Sequence, residues 1–343
     1  MTVRQYRWVA AGFGVSILAV TAFVAVRTTV ATGGHHDVLA ATASRGAAVD
    51  AEKPAWYGLS VLNSPVTFSG DGASPTPAGF PAISATAGIL VDVDTKTILW
   101  QLNGHAPLPP ASTIKVLTAL VALDNFSPDR SITATADALN QAWDETKMGL
   151  KPGMTLSVRD LLTAMLMVSA NDAAQVLAAD TVGLQRFVAA MNAQVAALGL
   201  HDTRVSSPVG LDDPHMRASA YDLAAIAATV FDRFPLFRGI VATRTASIPV
   251  NANHPVFWLE NVDGLFQKYP PAVGIKPGWT GDAGACEIGM AVRDGHRLIS
   301  VLMHGTLVYT SSARLLDWGF SREGLPALLP PQPSPSPSPA ATH

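Results

Sequence analysis

The sequence predicts an α+β domain in which strands from both ends of one dense segment, about residues 83–325, share an antiparallel sheet flanked by helices. Three observations carry this reading. Strand-like runs open the segment, strand-like runs close it, and Ala/Leu-rich stretches with helix-start signals fill the middle.

At the front, Gly88-Ile-Leu-Val-Asp-Val93 and Thr97-Ile-Leu-Trp-Gln-Leu102 flank Asp94-Thr-Lys96, a hairpin signal. Ser157 stands three residues before Asp160 and ahead of the apolar Leu161, Leu162, Met165 and Leu166, the pattern of a capped helix start. Ser219 and Asp222 repeat it before Leu223, Ile226 and Val230. At the back, residues 287–293 and 297–304 read as two strands about the turn Asp294-Gly295.

The flanks differ in kind. Arg4 and Arg7 precede an uncharged stretch, residues 8–26, which as a helix reaches about 28 Å, close to a bilayer's hydrocarbon thickness. That is long for a cleaved signal, so a retained anchor over residues 1–27 is the expectation; Arg4 and Arg7 against Arg27 put the short end in the cytoplasm and the rest outside. A secreted chain is the alternative if the segment is removed. Residues 28–82, with Ser69-Gly-Asp-Gly-Ala-Ser-Pro-Thr-Pro77, read as a linker. Residues 326–343, rich in Pro and Ser, read as a disordered tail.

Composition narrows the function. The net charge of −3 supplies no basic field for phosphates, so nucleic acid is not an expected partner. The lone cysteine, Cys286, cannot form an intramolecular disulfide and reads as a small packing residue. No Cys/His set has zinc spacing, and His35-His36-Asp37 lacks a rigid element to fix a ligand geometry. Neither a metal nor a cofactor is expected.

Three short strings carry chemistry. In Ser112-Thr-Ile-Lys115, a hydroxyl and an amine three apart share one face of a helix start, and the apolar Val116, Leu117, Ala119, Leu120 and Val121 follow. A lysine desolvated in such surroundings gives up its proton more easily and can then accept one from serine. Ser169-Ala170-Asn171 places a hydroxyl and a carboxamide after an apolar helix; it reads equally as a turn or cap. Gly274-Ile-Lys276-Pro-Gly278-Trp-Thr280 offers a lysine on a short strand and a glycine that admits close backbone approach; alone it is also a Pro-Gly turn.

In this order, with about 55 and then about 105 residues between them, the three strings resemble the active-site set of the serine D-alanyl-D-alanine carboxypeptidases, the low-molecular-mass penicillin-binding proteins. The resemblance covers about residues 87–320 and includes Val158-Arg-Asp-Leu-Leu162, Met191-Asn192, Gly210-Leu211 and Ala283-Gly-Ala-Cys286. It implies the penicillin-binding-protein/β-lactamase-like transpeptidase fold, with a mostly helical subdomain. It also implies Ser112 as nucleophile, Lys115 as its base, Ser169 as proton relay and Asn171 as orienter of the peptide carbonyl. Lys276 would stand by the substrate carboxylate, with Gly278, Trp279 and Thr280 completing the substrate-binding stretch and the N–H groups of Ser112 and Trp279 forming an oxyanion hole. The implied substrate is a peptidoglycan stem peptide, trimmed of its last D-alanine through an acyl-enzyme, and β-lactams should acylate the same serine.

The sequence departs from the family where Pro277 replaces the usual threonine and Ser207 the usual asparagine, and it runs from Asp317-Trp-Gly-Phe320 almost directly into the Pro/Ser tail. Pro277 motivates an alternative reading, a catalytically silent wall-binding or scaffold protein; the retained Ser112, Lys115, Ser169, Asn171 and Lys276 argue for chemistry. A β-lactamase would need a glutamate in an E-x-x-L-N loop, and none occurs between Asn171 and Lys276.

Overall fold

The computed structural model describes residues 66–72, 79–140 and 146–331. The expected membrane segment, residues 8–26, lies outside them. Among the described residues no helix is long and apolar enough to cross a membrane.

The chain begins with the hairpin β1 (Ala87–Asp92) and β2 (Thr97–Leu102), then a 3-10 turn (Ala111–Ile114) that runs into α1 (Lys115–Asn125). There follow β3 (Ser131–Thr133), α2 (Ala136–Leu139), β4 (Thr155–Ser157), α3 (Val158–Met167), α4 (Asn171–Val182) and α5 (Leu184–Ala197). After α6 (Ala220–Arg233) and α7 (Pro235–Ala242) come β5 (Thr245–Ile248), β6 (Phe257–Glu260) and the short α8 (Leu265–Lys268). The last elements are β7 (Ala272–Thr280), β8 (Gly284–Arg293), β9 (His296–Gly305) and α9 (Val308–Arg322).

Early and late strands share one antiparallel sheet, as expected, in the order β2-β1-β9-β8-β7. β1 pairs with β9 in register, Ala87 opposite Met303 and Asp92 opposite Leu298. Both faces are covered, which is why every residue of β1 is buried and its sequence reads as an apolar run rather than an alternation. Ile89 and Val91 join the core with α1, α3, α4 and α6; Leu90 and Trp100 join a second core with α8 and α9. β7 is the outer strand, and at nine residues it is longer than the short strand expected. A proline is tolerated more readily there because an edge strand pairs on one side only.

The helix-start reading holds at both places. Ser157 accepts from the Asp160 N–H while Asp160 reaches back to the Ser157 N–H, a complete capping box. Ser219 accepts from the Asp222 N–H at 3.1 Å. The centre of the helical layer is α1, buried on all sides from Lys115 to Ala122, which its largely apolar sequence requires.

Two expected boundaries shift. Inside the segment read as linker, Phe68 is buried and its N–H donates to the Tyr221 hydroxyl, while Ser69 bridges to the turn before β2. Phe80 packs against Trp100 and Trp318, with ring centroids 5.3 and 4.9 Å apart. Residues 326–331, read as the start of the tail, are held as well. The Asp317 carboxylate accepts from the Leu328 and Leu329 N–H groups at 2.9 and 3.0 Å, and Arg293 donates to the Pro326 carbonyl. Aromatic and aliphatic side chains spaced through polar stretches supply the anchorage that low-complexity composition hides.

Candidate active site

The 3-10 turn presents Ser112 half-buried at the rim, and the first residue of α1 carries Lys115 beneath it. Ala111, just before the serine, sits at φ 50°, a left-handed conformation that few residues with a side chain adopt. The sharp reversal lifts the Ser112 hydroxyl out of the apolar helix that follows. Ser169 is likewise left-handed, at φ 59°, in the link between α3 and α4. Two such strained positions flanking one amine are a feature of functional sites.

Lys115 is fully buried, and its Nζ reaches three groups. Ser112 Oγ is 2.7 Å away, Ser169 Oγ 3.3 Å and Asn171 Oδ1 2.5 Å. None of these three neighbours carries charge. Asn171 opens α4, just after the turn at Ser169, and its carboxamide oxygen accepts from the lysine.

Gly278 of β7 closes the other side of the serine. A Cβ there would come within 2.7 Å of the Ser112 backbone nitrogen, so only glycine lets the strand lie this close. Gly210, at φ 85°, is pressed in the same way against the Ala111 carbonyl. Trp279 is largely exposed at the end of the edge strand, while the Thr280 hydroxyl accepts from the Ala283 N–H and secures the turn into β8. Lys276 is fully buried, and its Nζ donates to the Pro277 carbonyl at 2.9 Å. Burial pulls its amine down to about 8, against the upward pull of the Asp263 and Glu287 charges. The structure thus brings Ser112, Lys115, Ser169 and Asn171 into one hydrogen-bonded cluster, with Gly278 against the serine.

Sequence reasoning missed three contributors. Asp172 is buried and accepts from the N–H groups of Met148, Gly149 and Leu150, holding the loop whose Thr146 carbonyl takes the Asn171 N–H. Asp263 and Glu287 were not singled out, although a carboxylate inside the apolar run of β8 was a visible signal. Cys286 behaves as read: it is buried, and burial pushes its thiol up to about 11, away from nucleophile chemistry.

A family profile described as D-alanyl-D-alanine carboxypeptidase matches residues 73–306. The chain belongs to that family. As a D-alanyl-D-alanine carboxypeptidase it is a serine peptidase, a hydrolase, with the penicillin-binding-protein fold. The Mycobacterium tuberculosis D-alanyl-D-alanine carboxypeptidase DacB2 is 37% identical over 258 residues, covering 73% of this chain and 86% of its own length. The Bacillus subtilis D-alanyl-D-alanine carboxypeptidase DacF is 28% identical over 70% of this chain, which spans only 63% of that relative. Among solved structures, a Mycobacterium tuberculosis D-alanyl-D-alanine carboxypeptidase superposes with a TM-score of 0.68 at 35% identity, covering 74% of this chain and 96% of the other. The Streptomyces K15 DD-transpeptidase gives a TM-score of 0.66 at 25% identity, covering 71% and 99%.

Proposed function

We propose that this carboxypeptidase removes the terminal D-alanine of peptidoglycan stem peptides through an acyl-enzyme on Ser112, and that β-lactams acylate the same residue. The observation that carries the assignment is the Lys115 amine bonded at once to Ser112, Ser169 and Asn171. The Asn171 oxygen can only accept, and a hydroxyl can do either; a neutral amine donating to Asn171 and Ser169 therefore keeps its lone pair for the Ser112 proton.

In acylation the Ser112 O–H bond breaks, its proton passes to Lys115, and Oγ forms a bond to the carbonyl carbon of the penultimate residue. The oxyanion is received by the Ser112 and Trp279 N–H groups. Collapse breaks the C–N bond, and the proton on Lys115 reaches the departing amine through the Ser169 hydroxyl. Water then attacks the ester, Lys115 takes its proton, and Ser112 is regenerated. Asn171 orients the substrate amide, Lys276 meets the terminal carboxylate, and Gly278 and Thr280 shape the strand along which the peptide lies.

The test is to incubate the extracytoplasmic segment with a fluorescent penicillin and with a pentapeptide ending in D-Ala-D-Ala, beside Ser112→Ala. The expected result is labelling and D-alanine release, both lost in the variant. Labelling without release would overturn the peptidase in favour of a silent wall-binding protein, the reading Pro277 motivates; rapid drug turnover would point to a β-lactamase. We place the catalytic segment outside the cytoplasmic membrane, tethered by residues 8–26. Mass spectrometry of the mature amino terminus tests this, and a start near Ser44 would refute a retained anchor.

A further inference from the structure

A buried ionisable group is left over from this mechanism. Glu287 interrupts the apolar run of β8, is fully buried, and stands opposite Pro277 in the β7–β8 register. Asp263, buried between β6 and α8, accepts the Leu265 N–H on Oδ1 at 2.8 Å. Its segment is tied to the Ser169 turn, because the neighbouring Val262 N–H donates to the Met167 carbonyl at 2.9 Å.

The two carboxyls lie close enough in this core for each to act on the other. Two carboxylates have no donor between them; as such, Asp263 Oδ2 and both Glu287 oxygens are buried without a hydrogen bond. One shared proton removes that deficit and leaves a single negative charge. Burial favours the arrangement, raising Asp263 to about 6 and Glu287 well above the carboxylate range, the latter helped by the charge of Asp263. Both charges act on the buried Lys276. One ammonium with one anion is neutral, whereas two anions or none leave an uncompensated charge inside the protein.

We propose that Asp263 and Glu287 form a counterion of one proton and one charge that positions Lys276, holding it as an ammonium at the Pro277 carbonyl where a substrate's terminal carboxylate is received. This rests on the reading of Lys276 given above. Both acids are positioning residues, since they act through Lys276. Two further titratable groups feel the pair, Tyr309 of α9, packed over Gly264, and Cys286 beside Glu287. Burial pushes the phenol and the thiol up, so near neutrality the pair and Lys276 carry the titration.

The experiment compares the isosteric, charge-free double variant Asp263→Asn/Glu287→Gln with Glu287→Gln, which keeps the Asp263 charge. Each is assayed for kcat and KM against pH on a D-Ala-D-Ala peptide, for acylation by penicillin, and for Ser112 labelling by a fluorophosphonate lacking a carboxylate. Without its anion Lys276 loses its proton at lower pH, so in the double variant the alkaline limb of kcat/KM moves acidward by about one unit and KM at pH 8 rises about fivefold. The single variant shifts less, and fluorophosphonate labelling of the double variant persists. An unmoved limb in the double variant overturns the proposal. So does an equal shift in both variants, or joint loss of peptide binding, labelling and thermal stability, which would show a merely structural pair. Penicillin labelling of the wild type without D-alanine release would instead strike at the proposed function, and the pH dependence of penicillin acylation would still judge the counterion.

Discussion

Lys115 illustrates how much a single side chain owes to its surroundings: it is fully buried, yet three uncharged oxygen atoms converge on its amine. Lys115→Ala removes the proposed base while leaving the helix former alanine in place, so acylation by penicillin should fall about a thousandfold with the fold retained. Stopped-flow labelling beside circular dichroism checks this, and undiminished acylation would exclude Lys115 as base. Gly278→Ala should act from the other side. Its methyl would press on the Ser112 backbone nitrogen, pushing β7 back and costing about a hundredfold in acylation through misplacement alone. The residue types of this site were legible in the sequence; the left-handed turns at Ala111 and Ser169 were not, because neither alanine nor serine advertises a positive φ.

Elements were readable where the signal is local. The hairpin turn before Thr97, the capping box at Ser157 and the turn at Asp294-Gly295 all depend on neighbours within a few residues, and all appear where expected. Ser157→Ala should cost about 1 kcal/mol in denaturant unfolding and leave penicillin acylation intact. Asp172 is the opposite case. Its partners are more than twenty residues upstream, so nothing nearby marked it as an anchor. Asp172→Ala leaves three backbone donors without their acceptor, and should destabilise the protein by about 3 kcal/mol and slow acylation by loosening the Asn171 side of the site. Acylation unchanged in a folded Asp172→Ala protein would separate that loop from the chemistry. The proposed pairing of Asp263 with Glu287 was hidden for the same reason: the odd carboxylate in β8 was in view, its partner was not.

At the scale of the whole molecule, the sheet joins early and late strands, and the segments read as linker and tail dock onto it. Asp317 is the clasp at the back: buried, paired with Arg293 at 3.3 Å, accepting from the Tyr269 hydroxyl at 3.1 Å and from two backbone N–H groups of the closing segment. Asp317→Ala leaves a buried arginine unpaired and should lower stability by about 3 kcal/mol or more, with limited proteolysis advancing into residues 326–331. Cleavage no faster than in the wild type would show that Arg293, on the Pro326 carbonyl, and Arg314, on the Pro330 carbonyl, suffice to hold the segment. Finally, β7 is an open row of peptide groups, and such a row invites a second copy of the same protein to zip onto it as readily as a substrate. Pro277 leaves a missing rung in the middle of that row. A neighbouring molecule therefore finds no continuous ladder along β7, so the proline that departs from the family pattern weakens edge-to-edge pairing of two copies.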